Sequence, residues 1–250
     1  MFSISVRPRT LLTVLLGAVA LVVGVSYALT FAVTAGGAQA HPVVWLAWLL
    51  GVDNERNVPA WFSTALLAAI ALSCLEVARR LFAGRARWRW HWLALSAGFA
   101  YLSLDEMVGL HERLSELPVR AAVGPQNYAW VVVAAPLAVV AGLLFVRFLR
   151  ALPRRVAALA VLAGALYVGG AAGMEVAGGL LLDAGADQEG LLLDSVQHVE
   201  EACEMAGAAL FLHVVARVQQ GVHPLRPAPV DVSADVPVAR AAGVLGASVS

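Results

Sequence analysis

Cysteine, lysine and charge are all scarce in this chain of 250 residues, and each shortage removes a class of protein. The two cysteines, Cys74 and Cys203, fall in different apolar segments without the CxxC spacing of a redox or zinc motif, so they read as small buried hydrophobes. Lysine is absent. All 17 basic side chains are arginine and 17 acidic ones balance them, so bulk charge points to no nucleic-acid partner. Charged residues make up only 14% of the chain against 60% hydrophobic, with a mean hydropathy of +0.79. That profile excludes an ordinary soluble domain. Neither an internal repeat nor a second domain is evident.

What the chain has instead is long apolar runs. A helix needs about 20 residues to cross a hydrocarbon core of ~30 Å. Runs of that order occupy residues 10–35, 60–78, 91–108, 128–148, 156–182 and 195–216. They predict an all-α, polytopic membrane protein: a six-transmembrane-helix bundle over residues 1–220. Residues 221–250 form a tail with four prolines and no apolar period, the composition of disorder.

The arginines give the orientation. Arg7 and Arg9, the group from Arg79 to Arg89, the group from Arg147 to Arg155, and Arg217, Arg226 and Arg240 fall in alternate connections and both termini. Six crossings put all of these on one face, and the positive-inside rule makes it cytoplasmic. The expected arrangement is N-in/C-in in the inner cell membrane. Basic Arg7 and Arg9, an apolar run and Ala38-Gln39-Ala40 also resemble a cleavable signal peptide, but the run exceeds an h-region of about 7–15 residues, which favours a retained helix. HPVVWLAWLL, residues 41–50, is too short to span and suits a helix lying at the outer interface. RARWRWHW, before the third span, reads as a cytoplasmic anchor to anionic lipid headgroups.

Against this apolar background, carboxylates stand out. LSLDEMVGLHE carries Asp105, Glu106, His111 and Glu112. DSVQHVEEACEMAG carries His198, Glu200, Glu201 and Glu204, and GGAAGMEVAGG carries Glu175. An ionised carboxylate at the centre of a span costs about 2.5–3.5 kcal/mol even on insertion scales, so these groups need partners, protons, water or cations. At ~1.5 Å per residue, Asp105, Glu175, Glu201 and Glu204 are expected about 9–13 Å below the outer helix ends, with His111, Glu112 and His198 nearer the surface. Asp105 and Glu112, seven apart, would share a face of one helix; His198, Glu201 and Glu204 would share a face of another. Glu106 would point about 100° from Asp105 and Glu200 would turn partly away.

Three readings follow. As a metal site, Asp105, His111, Glu112, Glu175, His198, Glu201 and Glu204 are the expected ligands of a divalent ion such as Fe, Mn or Zn. Glu112 or Glu204 could serve instead as general base, and the enzyme would be a hydrolase or oxidase acting on a lipid-like amphiphile. As a proton- or cation-coupled transporter, the same acids would form a relay, although the inner half offers only Glu76 and His213 as continuations. As a structural network, acids in the first turn of the last helix would satisfy free amides, which accounts for Asp194 but not for Asp105 or Glu175. The five glycines around Glu175, from Gly169 to Gly179, predict close helix packing.

YLSLDEMVGLHE, GGAAGME and EEACEMAG together resemble a family of bacterial multi-pass membrane proteins carrying these acidic motifs in the same order. That resemblance implies a membrane location and brings no activity with it. The ceramidase and adiponectin-receptor superfamily of seven-helix zinc hydrolases is an analogy in chemistry only, since this chain lacks its terminal HxxxH element and offers just His198 followed distantly by His213.

Overall fold

In the computed structural model the described residues are 4, 6–110 and 129–221, and among them there is helix and no strand. The elements are α1 (Pro8–Thr34), α2 (His41–Leu50), α3 (Val58–Ala83), α4 (Arg89–Val108), α5 (Ala129–Ala151), α6 (Arg154–Val168), a π-helical turn (Gly169–Met174), α7 (Glu175–Asp183) and α8 (Leu191–Gln219). A helix lies over each of the six apolar runs, and α2 over the short interfacial one. Four are long and apolar enough to cross a membrane: α1, α3, Ala134–Ala151 within α5, and the continuous stretch Arg154–Asp183. Helices α4, 20 residues, and α8, 29 residues, have the length but are less apolar.

Local sequence sets the helix starts. Proline stands in the first turn of α1, α2 and α3, where its missing N–H costs nothing. Asn57 caps α3, its side-chain oxygen accepting from Ala60 N at 3.1 Å while its amide donates to the Trp48 and Gly51 carbonyls. One buried side chain thus joins the end of α2 to the start of α3.

The core lies where α3, α4, α6 and α8 meet, with Leu67, Ile70, Cys74, Trp92, Val156, Ala209 and Val215 sealed inside. Helix α8 is the hub, packing on α1, α3, α6 and the π turn. Helix α5 joins mainly through its C-terminal part, where Phe145 and Phe148 meet His91 and Trp92. Its middle, including Leu143 and Leu144, faces away from the protein.

The arginine-rich end is tied by polar contacts. Buried Glu76 accepts from Arg80 at 2.9 Å, Arg80 donates to Gln219 O, and the Gln219 amide donates to Ser73 O. Arg87 lies over Trp88 and Arg89 over Phe82, so the aromatic-basic stretch before α4 forms cation–π pairs.

Candidate functional site

The opposite end of the bundle holds the acids. Where α1 and α7 finish and α8 begins, a cavity of ≈ 410 Å³ is lined by Asp53, Glu175, Glu189, Asp194 and Glu200, together with Thr34, Gln188 and Gln197, and by no arginine among the described residues. Four residues further along α8, about 6 Å deeper, Glu204 joins Glu106 of α4 and Tyr167 of α6 around a small pocket of ≈ 10 Å³. That volume is at the threshold for a single water. The Tyr167 hydroxyl donates to the Glu204 carboxylate. Glu201 lies within electrostatic reach of Glu204, Glu106, Glu200 and Asp53, and Asp105 within reach of Tyr167. The acids therefore form two tiers, an open vestibule and a narrow pocket beneath it, and Glu175, expected at the depth of Glu204, lines the vestibule.

Two glycines bring the tiers together. A Cβ on Gly207 would sit 2.7 Å from Tyr167 N and 2.8 Å from Ala163 O; one on Gly170 would sit 2.8 Å from Glu200 O and 3.0 Å from the Glu204 Cγ. Backbone meets backbone at both places, so α6 lies directly against α8 and Tyr167 comes within reach of Glu204. The wider π turn then carries an extra residue, which rotates Glu175 relative to an unbroken helix and helps aim it at the vestibule. Such bulges occur frequently at functional sites. Of the glycines expected to pack closely, Gly170 does and Gly178 makes ordinary contact with Leu193, whereas a Cβ on Gly169 or Gly173 would meet nothing.

Several sequence expectations change. Glu106, assigned away from the site, lines the pocket, and Glu200, thought to turn aside, lines the vestibule. The helix expected to carry Asp105 and Glu112 on one face stops at Val108, where Gly109 takes a left-handed φ of 63°. His111, Glu112 and the tail from 222 lie outside the described residues.

His198 is buried between α1 and α8, with both ring nitrogens engaged. The Asp194 carbonyl can only accept, so Nδ1 carries the proton and donates to it at 2.6 Å. In the neutral ring Nε2 accepts from Ser26 Oγ at 2.9 Å, and Ser26 in turn accepts from Val52 N at 3.0 Å. No lone pair is left for a metal in this arrangement, and the residue clamps three segments instead. Among the described residues, no three His, Cys, Asp or Glu side chains are grouped to hold a metal ion. Glu106, Glu201 and Glu204 approach one another without forming a closed ligand sphere.

The model of one family, described as a domain of unknown function (DUF8692), matches residues 10–218. No curated protein and no solved structure matches the chain.

Proposed function

We propose that this chain, which belongs to the DUF8692 family, is an inner-membrane protein of six spans whose acidic end binds a divalent cation for chemistry on a lipid-like amphiphile. The spans are α1, α3, α4, α5, the stretch from α6 through α7, and α8, with both termini cytoplasmic. Supporting this count, 20 residues of α4 rise about 30 Å, the thickness of the hydrocarbon core. The arginines at the start of α1, α4 and α6 and at the end of α3, α5 and α8 then share one side.

One observation carries the cation reading: eight acids occupy or border the vestibule and pocket, Asp53, Glu106, Glu175, Glu189, Asp194, Glu200, Glu201 and Glu204, and among the described residues no arginine lines either cavity. Such a group in low dielectric needs cations or protons. Oxygen donors without thiolates suit iron, manganese or a catalytic zinc. Because the described carboxylates are not grouped as a finished site, binding requires their side chains to close in. Glu204, held by Tyr167, is the candidate general base. Elemental analysis of protein purified in mild detergent tests the idea: near-stoichiometric metal, lost in Glu201→Ala and Glu204→Ala, is expected. Absence of metal after gentle purification and reconstitution refutes it.

The stepwise placement of Asp194, Glu200, Glu201 and Glu204 along α8 favours a second reading, proton- or cation-coupled transport. Past Glu204, however, the helix presents buried Met205, Ala208, Ala209 and Leu212. His213 is engaged by the Pro8 carbonyl and Glu76 by Arg80. Flux in proteoliposomes, abolished by Glu175→Gln, would nonetheless establish it.

A further inference from the structure

A second cavity, apolar and ≈ 380 Å³ in volume, lies between α4, α5, α6 and α8. Its walls include Leu95, Leu102, Phe145 and Val168, and Phe99 and Phe211 meet in it with ring centroids 4.8 Å apart. Tyr167 and Ala208 line both this crevice and the one-water pocket of Glu106 and Glu204. The apolar space and the acids therefore share a wall.

Glycines keep the crevice open. Gly98, Gly142 and Gly164 line it from three different helices, and a Cβ on any of them would meet nothing within 4 Å. They differ from Gly207, whose missing side chain admits a neighbouring backbone. Glycine inside a helix is worse than alanine by roughly 0.5–1 kcal/mol, and at these three positions no protein contact offsets that loss. The space needs an occupant. The helices around it are spans by length and composition or by the reading above, and the fluid at that depth is hydrocarbon. The outward-facing middle of α5 leaves the way in.

We propose that this crevice binds one acyl chain of a membrane phospholipid, admitted beside α5 and ending at Tyr167. The chain fills the glycine-lined space against Phe99 and Phe211, and its polar end is directed toward Tyr167 and the Glu106–Glu204 pocket. This rests on the membrane placement and amphiphile class proposed above, and is independent of whether the acids hold a metal.

The test uses the full chain in vesicles of phosphatidylcholine carrying a diazirine midway along one acyl chain, irradiated, digested and mapped by mass spectrometry. Labelling of Phe99 and Phe211 is expected, in addition to that of outward-facing Leu143 and Leu144. Filling the space with Gly164→Phe, or with Gly142→Phe should the first variant not fold, should return Phe99 and Phe211 to background while Leu143 and Leu144 stay labelled. Labelling confined to Leu143 and Leu144 in the wild type overturns the proposal, as does labelling of Phe99 and Phe211 unchanged by the filled crevice. Metal content of the same preparations separates the two ideas: lipid labelling without metal sinks only the cation reading, and metal without labelling sinks only this one.

Discussion

Replacing Gly207 by alanine adds one carbon and should be among the most damaging small changes available to this protein. The new Cβ would stand 2.7 Å from Tyr167 N, about 0.7 Å short of ordinary van der Waals contact at 3.4 Å, and 2.8 Å from Ala163 O. Both are backbone atoms, so no rotamer change relieves the contact and α6 must move away from α8. Overpacking of this kind costs typically 1–3 kcal/mol, set against less than about 1 kcal/mol gained in helix propensity. Gly164→Ala, on the same pair of helices, places its Cβ where nothing lies within 4 Å and should be neutral or stabilising by up to about 1 kcal/mol. The propensity gain is common to both, so the difference between two identical chemical changes is the overpacking alone, about 1–3 kcal/mol. Thermal unfolding in mild detergent reads it, at roughly 2–4 °C per kcal/mol for chains of this size. Equal midpoints for Gly207→Ala and Gly164→Ala would refute the close approach, and with it the account of how Tyr167 reaches Glu204.

Other consequences can be measured the same way. Ser26→Ala leaves Val52 N–H and His198 Nε2 buried without partners and should destabilise by about 1–3 kcal/mol; an unchanged midpoint would dissolve the α1–α8 clamp. Asn57→Ala removes the α3 cap and two donors to the α2 end, a loss of at least about 1 kcal/mol. Were an exposed alanine change such as Val58→Ala as harmful, the cap would be irrelevant. In a double-mutant cycle, Tyr167→Phe and Glu204→Gln should be coupled by about 0.5–3 kcal/mol, and simple additivity would deny their hydrogen bond.

The helices were readable because a span needs length and apolarity, and both are properties of a segment taken alone. Facing is a property of neighbours. Glu106 and Asp105 are adjacent in sequence, and which of them enters the pocket depends on where Tyr167 and Ser63 sit across the gap. The phase argument that paired Asp105 with Glu112 assumed an unbroken helix; Gly109 was visible between them, but the left-handed backbone that ends α4 there was not. The π turn had no separate signal, since GGAAGM reads equally as a packing stripe. His198 was read as a ligand because it lies three residues from Glu201. Its partner Ser26 stands 172 positions away and carried no mark of its own.

That separation also sets a timetable. Ser26 leaves the ribosome before His198, and at about 5–20 residues per second the ring that accepts its hydrogen bond follows roughly 9–34 s later. Until then the first helix carries a hydroxyl and a surface without the last helix that meets them. The last helix, α8, therefore completes α1 as much as it completes the acidic site. A nascent chain stopped just before Leu191 would retain all four helices apolar enough to span and still lack the hub that orders them.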